Sequence, residues 1–242
     1  MEEMKVRQTG LRIGLMVPIN NTTMEPELLV WLPAGSACRT LRIPRGKGTL
    51  TPQDLPAYID QALEMAAAFA DDGIDLVVYG CTAAGFLAGP ERDAAIAARL
   101  AEVTRKPVVT TASAMVAALR HLGARNIALV TPYLDLVNER LRGFLEQSGI
   151  GVEVLASFRA QSVDELAAIT PAQIAALSRE TMRAGCDALF IACSQLPTRE
   201  ILAELERDFG RPVWSSIKAV AWQAGRVAEA APREEGRMRA EG

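Results

Sequence analysis

Only one histidine, His121, occurs in the 242 residues, and that scarcity removes two large classes of chemistry. Ser-His and Cys-His activation need an imidazole beside the nucleophile, and many zinc sites draw on histidine or on closely spaced cysteine pairs. His121 stands in Leu119-Arg120-His121-Leu122-Gly123. That segment reads as a helix end closed by glycine, where a partly charged imidazole meets the negative end of the helix dipole. Cysteine is also sparse: Cys38, Cys81, Cys186 and Cys193 fit no zinc spacing, and a chain that is 50% apolar can build a core without a disulfide framework. Aromatic residues make up 5% and the net charge is only -3, which leaves neither a base-stacking platform nor a basic face for nucleic acid. No stretch approaches the roughly 18 consecutive apolar residues of a membrane span. Met1–Gly10, with Glu2, Glu3, Lys5 and Arg7, lacks the apolar core of a signal peptide. The expectation is a cytoplasmic protein with no membrane and no nucleic-acid partner.

What is present is an alternation of short apolar runs with helix-period segments. Strands are predicted at Leu11–Val17, Asp75–Tyr79, Pro107–Thr110, Asn126–Thr131, Gly151–Phe158, Ala188–Ala192 and Pro212–Ser215. Most are Val, Ile and Leu without alternation, as expected where both sheet faces are covered. Helices are predicted at Asp54–Asp72, Pro90–Thr104, Ser113–Leu122, Asp135–Ser148, Pro171–Ala184, Thr198–Phe209 and Ala219–Ala230, several opening on Asp, Ser, Thr or Pro. Strand and helix in alternation indicate the α/β class with parallel sheets.

The pattern is written twice. Leu11-Arg12-Ile13-Gly14-Leu15-Met16-Val17-Pro18 is answered by Arg125-Asn126-Ile127-Ala128-Leu129-Val130-Thr131-Pro132. Asp72-Gly73-Ile74-Asp75-Leu76-Val77-Val78-Tyr79-Gly80-Cys81 is answered by Ala184-Gly185-Cys186-Asp187-Ala188-Leu189-Phe190-Ile191-Ala192-Cys193, and Arg105-Lys106-Pro107-Val108-Val109-Thr110-Thr111 by Gly210-Arg211-Pro212-Val213-Trp214-Ser215-Ser216. Three segments in the same order imply a duplicated α/β unit whose halves face each other across a cleft. The first half is placed at 11–123 and the second at 124–231, with a segment near the C-terminus allowed to cross back. A flexible extension is expected over 1–10 and a disordered tail over 232–242. The basic, glycine-rich stretch Ser36–Leu50, with Arg39, Arg42, Arg45 and Lys47, reads as a loop that closes over the cleft or meets a partner subunit.

Ligands of open parallel sheets bind beyond the carboxyl ends of the strands. There the echoed segments deliver Asn20, Asn21, Thr22 and Tyr133, then Cys81-Thr82-Ala83 and Cys193-Ser194-Gln195, then Thr110, Thr111, Ser113, Ser215, Ser216 and Lys218. The two cysteines hold equivalent places, so an approximate two-fold axis brings their sulfurs to opposite faces of one substrate. One thiolate then attacks carbon or removes a proton, and the opposite thiol supplies or receives one. Cysteine suits this because its ordinary pKa of about 8.5 can be tuned in either direction. Backbone N–H groups at a helix start would favour the thiolate and hold a carboxylate. Cys38 and Cys186 read instead as small buried hydrophobes. The hydroxyls could serve only as helix caps, and Lys218 either steers an anion or lies on a solvated face.

At these residues the chain resembles the aspartate/glutamate racemase superfamily, which has duplicated halves and paired cysteines. Val17-Pro18-Ile19-Asn20-Asn21-Thr22-Thr23-Met24-Glu25 is similar to the opening motif of maleate cis-trans isomerases. Thr131-Pro132-Tyr133 followed by Val137-Asn138-Glu139-Arg140-Leu141 is similar to both those enzymes and arylmalonate decarboxylase. The resemblance, from about Leu11 to about Ala230, implies two pseudo-two-fold-related halves with parallel four-stranded sheets and an active site in the cleft between them. It also implies Cys81 as nucleophile, Cys193 as the proton-handling thiol, and Pro18, Asn21, Thr82, Ala83, Tyr133, Ser194 and Gln195 as substrate-binding positions. Arylmalonate decarboxylase has glycine in place of the first cysteine. Maleate isomerases carry a further asparagine in the segment matching Arg159–Ala168, where this chain offers Gln161, Ser162, Val163 and Asp164. The expected activity is cofactor-independent isomerisation of a small mono- or dicarboxylic acid, without metal, in a homo-oligomer (dimer or higher). A two-thiol racemase, a decarboxylase of the arylmalonate type and a non-catalytic acid-binding protein stand as alternatives.

Overall fold

A computed structural model describes residues 10–48 and 50–230; the tail expected over 232–242 and all but Gly10 of the amino-terminal extension lie outside them. Strands β1 (Arg12–Pro18), β2 (Ala37–Ile43), β3 (Leu76–Tyr79) and β4 (Val108–Thr110) form one sheet in the order β2-β1-β3-β4. Strands β5 (Asn126–Thr131), β6 (Gly151–Ser157), β7 (Ala188–Ile191) and β8 (Val213–Ser215) form a second in the order β6-β5-β7-β8. Every pairing is parallel, and the second sheet repeats the first strand for strand. In β3 and β7 every residue is buried, which is why these strands read as unbroken apolar runs rather than alternating ones.

Ten α-helices surround the sheets among the described residues: α1 (Met24–Trp31), α2 (Leu55–Ala66), α3 (Thr82–Ala88), α4 (Pro90–Thr104), α5 (Thr111–His121), α6 (Asp135–Gln147), α7 (Val163–Ala167), α8 (Pro171–Thr181), α9 (Leu202–Phe209) and α10 (Ser216–Ala230). Local chemistry accounts for several starts. Pro90 opens α4, and Thr170 with Gln173 forms a reciprocal capping box on α8. The Thr110 hydroxyl accepts from the Ser113 N–H at the start of α5. As the sequence predicts, α5 ends at His121 with Gly123 just beyond at φ 67°. The His121 ring stacks on Trp222 of α10 at 4.8 Å between centroids. Helix α10 follows the last strand of the second sheet yet packs against α5, α1 and β4 of the first half.

Four sequence expectations need correction. The segment Ser36–Leu50 is not a loop throughout, because Ala37–Ile43 is an edge strand paired in register with all of β1. Its two arginines, Arg39 and Arg42, are both exposed, which suits an edge and obscures the strand in the sequence. The helix predicted at Asp54–Asp72 stops at Ala66 and passes into a 3₁₀ turn over Ala67–Phe69. The helix predicted from Thr198 begins only at Leu202, so turns rather than a helix follow Cys193. Helices α1, α3 and α7 were not anticipated. Helix α3 buries its first five residues, Thr82 to Phe86, and so shows no polar face from which a period could be read. Among the described residues no helix is long and apolar enough to cross a membrane.

Candidate active site

The carboxyl ends of β1, β3, β5 and β7 converge on a cavity between the halves. Pro18, Asn21, Cys81, Thr82 and Ala83 line it from the first half, and Tyr133, Cys193, Ser194 and Gln195 from the second. These are the two cysteines and the seven substrate-binding positions that the resemblance implied, and all nine line one cavity, whereas Asn20, Thr22, Thr110, Thr111, Ser113, Ser215 and Ser216 are not among its lining residues. Lys218 does not reach it. Its ammonium is held by Glu206 at 3.2 Å and lies over the rings of Trp214 and Trp31. Cys186 is buried at the start of β7, and Cys38 is half-buried on β2 with its thiol pushed up to about 12 by desolvation.

Hydrogen bonds across the cleft hold the two thiol-bearing turns together. Asn21 uses its side-chain oxygen to accept from the N–H groups of Thr23 and Met24 at 3.1 and 3.0 Å, which closes the start of α1. Its nitrogen donates to Ser194, and the Ser194 hydroxyl donates to the carbonyl of Gly80 at 2.7 Å. The residue before Cys81 is thereby tied to the residue after Cys193. Gly80 has no room for a side chain, since a Cβ there would stand 2.7 Å from the Met24 sulfur and 2.9 Å from the Met16 carbonyl oxygen. Asn20 and Gln195 exchange two further bonds, at 3.1 and 3.3 Å. Glu27 of α1 accepts from the N–H groups of Thr198 and Arg199. The guanidinium of Arg42 on β2 donates to the Asn21 carbonyl at 2.6 Å.

Both thiols are nearly enclosed, Cys81 at 5% and Cys193 at 6% exposure, and burial raises both pKa values, that of Cys193 to about 11. Opposing contributions differ between the halves. Around Cys81 the N–H groups of Ala84 and Ala83 at the start of α3, the charge of Arg45 and the Tyr58 hydroxyl all favour the thiolate. Tyr58 is 4% exposed, and its hydroxyl stands near the sulfur without a hydrogen-bond partner among the described residues. Around Cys193, the N–H of Gln195 donates to the sulfur at 3.4 Å, and the Tyr133 hydroxyl also favours its thiolate. A charge on Cys81 raises Cys193 further, so the site favours one thiolate at a time. Tyr133, packed edge-on against Phe86 at 5.4 Å, has its hydroxyl beside Cys193 and Thr82, and burial keeps it protonated as a donor.

Sequence reasoning gave no site role to four lining residues, Arg45, Leu50, Val163 and Leu166, or to Tyr58 behind Cys81. Two of them carried a readable signal. Ser162-Val163-Asp164-Glu165 is a capping pattern that opens α7, with the Ser162 hydroxyl accepting from the Glu165 N–H, and it puts Val163 and Leu166 three apart on one face. Arg45 and Leu50 lie in the basic Ser36–Leu50 stretch expected to close over the cleft or meet a partner subunit, and both line the cavity. Among the described residues no three His, Cys, Asp or Glu side chains gather closely enough to hold a metal ion.

A family profile described as arylmalonate decarboxylase matches residues 13–240. Arylmalonate decarboxylase of Bordetella bronchiseptica is 32% identical over 185 residues, covering 76% of this chain and 77% of that protein. Maleate isomerase of Nocardia farcinica is 31% identical over 219 residues, covering 87% of each. A mutant of the Nocardia farcinica maleate cis-trans isomerase, solved with a covalently bound succinylcysteine intermediate, superposes with a TM-score of 0.84 at 28% identity, over 91% of this chain and 93% of that one.

Proposed function

Because this chain belongs to the arylmalonate decarboxylase family, we propose that it is a cofactor-independent enzyme that isomerises a small cis-unsaturated carboxylic acid through Cys81 and Cys193. The observation that carries this reading is the pair of thiols on one cavity, each at the carboxyl end of an equivalent strand. Relatives that are maleate isomerases, one of them solved with a cysteine adduct, support it.

The Cys81 thiolate adds to one carbon of the double bond, and the displaced electron pair passes to the neighbouring carbon and its carboxylate. Cys193 gives its proton to that carbon, leaving a saturated thioether. Rotation about the new single bond brings the substituents from cis to trans. Cys193 then takes a proton back from the same carbon, the double bond re-forms, and the C–S bond breaks to return the Cys81 thiolate. Asn21 and Tyr133 supply donors to carboxylate oxygens, and backbone N–H groups by Thr82 and Ser194 face the charge that develops on addition. The groups must stay in place while the substrate turns, and the Asn21–Ser194–Gly80 bonds provide that rigidity.

Purified protein incubated with maleate, with fumarate followed by proton NMR, tests the proposal directly. Fumarate formation supports it, and no turnover at high enzyme concentration rejects this substrate. Apolar Leu50, Val163 and Leu166 on one wall favour a second reading, decarboxylation of a substituted malonate with Cys193 as proton donor. Carbon dioxide release from an aryl-substituted malonate decides for that reading.

A further inference from the structure

Among the described residues, Arg45 is the one charged side chain lining the cavity. All the other polar groups there are neutral in the resting site: the amides of Asn21 and Gln195, the hydroxyls of Thr82, Ser194 and Tyr133, and two thiols held up by burial. The Arg45 guanidinium donates to the Gly48 carbonyl of its own loop and enters no ion pair with a carboxylate among the described residues. Its charge nevertheless reaches Cys81 and Tyr58 and lowers the pKa of both. Leu50, Val163 and Leu166 share the wall with it, and an apolar surround strengthens a guanidinium's attraction for an anion.

The loop that carries Arg45 is anchored. Lys47 accepts from the Val163 N–H at 3.2 Å, and Gly48 pairs with Ser162 in an isolated antiparallel bridge. The first half thus reaches over the cavity and grips the cap of α7 in the second. Chemistry gives this cation a purpose. A thiolate adding to a doubly charged acid creates an intermediate with three negative charges, which neutral donors alone offset poorly. Guanidinium also matches a carboxylate in shape, with two parallel N–H donors.

On the reading that this cavity binds the acid, we infer that Arg45 is a substrate-binding residue that pairs with the second carboxylate of a doubly charged substrate and so selects diacids over monoacids. The donors at Asn21 and Tyr133 take one carboxylate, Arg45 takes the other, and the double bond lies between them beside Cys81.

Alkylation of Cys81 in the full-length protein tests this without requiring turnover. Rates with anionic iodoacetate and neutral iodoacetamide are read by peptide mass spectrometry, and their ratio is compared with that of a small free thiol. Taking the ratio cancels any change in the thiolate fraction that loss of Arg45 causes. In the unaltered protein the ratio exceeds the reference by about 10-fold, the scale of a charge-assisted contact. Arg45→Gln removes most of the excess, and Arg45→Lys retains more of it. A ratio in Arg45→Gln equal to that of the unaltered protein overturns the assignment. Protection of Cys81 by succinate but not by propionate, lost in Arg45→Gln, supports it; equal protection by both acids counts against it. If maleate proves not to be turned over, the proposed reaction fails while the alkylation ratio still decides the role of Arg45.

Discussion

The side-chain nitrogen of Asn21 reaches across the cleft to both oxygens of Ser194, 3.1 Å from the hydroxyl and 3.2 Å from the carbonyl. It is 2% exposed, so these bonds form where water competes little, and they connect the loop after β1 to the turn that carries Cys193. One residue therefore closes α1, joins the halves and presents an amide to the cavity.

Asn21→Ala should lower stability and substrate affinity together. It strips the Thr23 and Met24 N–H groups of their acceptor and leaves Ser194 without its donor. Buried polar groups left unpaired cost about 1–3 kcal/mol, which thermal unfolding will register. The KM for the acid should rise as well. Asn21→Asp keeps an acceptor for the start of α1 but turns a second acceptor toward the Ser194 carbonyl and puts a negative charge beside an anionic substrate, so it should lose more activity than Asn21→Ala.

Cys81→Ser and Cys193→Ser should each reduce turnover by at least about 10²-fold, and the two variants should differ in kind. With Cys193→Ser the Cys81 adduct can still form but lacks its proton partner. Mass spectrometry of that variant mixed with substrate should therefore show the protein plus one substrate mass. Cys81→Ser should show no adduct. Adduct formation on Cys193 in the latter variant would reverse the assigned roles.

The pH profile of kcat/KM should be displaced to the alkaline side. Catalysis needs Cys81 as thiolate and Cys193 as thiol, and burial raises both. The rate should climb with pH as Cys81 ionises and fall as Cys193 loses its proton near about 11. Tyr58→Phe removes a hydroxyl that favours the Cys81 thiolate, so the rising limb should move to higher pH with KM little changed. An unshifted limb would show that this hydroxyl does not act on the thiol.

Asp93 on α4 offers a stability test away from the cavity. It is 2% exposed, burial raises its carboxyl to about 6, and the Thr110 hydroxyl donates to it at 2.7 Å. A folded pKa above the unfolded value means its contribution is fully present below about pH 4 and lost as pH rises through about 6. The stability of Asp93→Asn relative to the unaltered protein should thus increase by roughly 2 kcal/mol between pH 4 and pH 7. Denaturant unfolding at pH 4 and pH 7 measures it, and a pH-independent difference would mean that Asp93 is not buried in its charged form.

Legibility followed burial. The central strands β1, β3, β5 and β7 were readable because strands covered on both faces must be apolar throughout, and their repetition exposed the duplication and the matched cysteines. Edge strand β2 was hidden by its arginines, and α3 by burial on every side. Where a helix was expected from Thr198, turns run to Ile201 and α9 begins at Leu202, with the Thr198 and Arg199 N–H groups bonded to Glu27, 171 and 172 residues away in the chain.

The sequence by itself determined the α/β class and the two copies, since each follows from local composition and its repetition, and the family resemblance of its motifs picked out nine residues that come to line one cavity. Only the tertiary structure decided between cleft and partner subunit for the stretch carrying Arg45 and Leu50, brought Val163 and Leu166 to the same cavity, set Tyr58 behind Cys81, and engaged Lys218 with Glu206 and two tryptophan rings. Those facts depend on how distant segments return across the cleft, and the direction of such a return is set by packing between the halves, not by the residues of the returning segment.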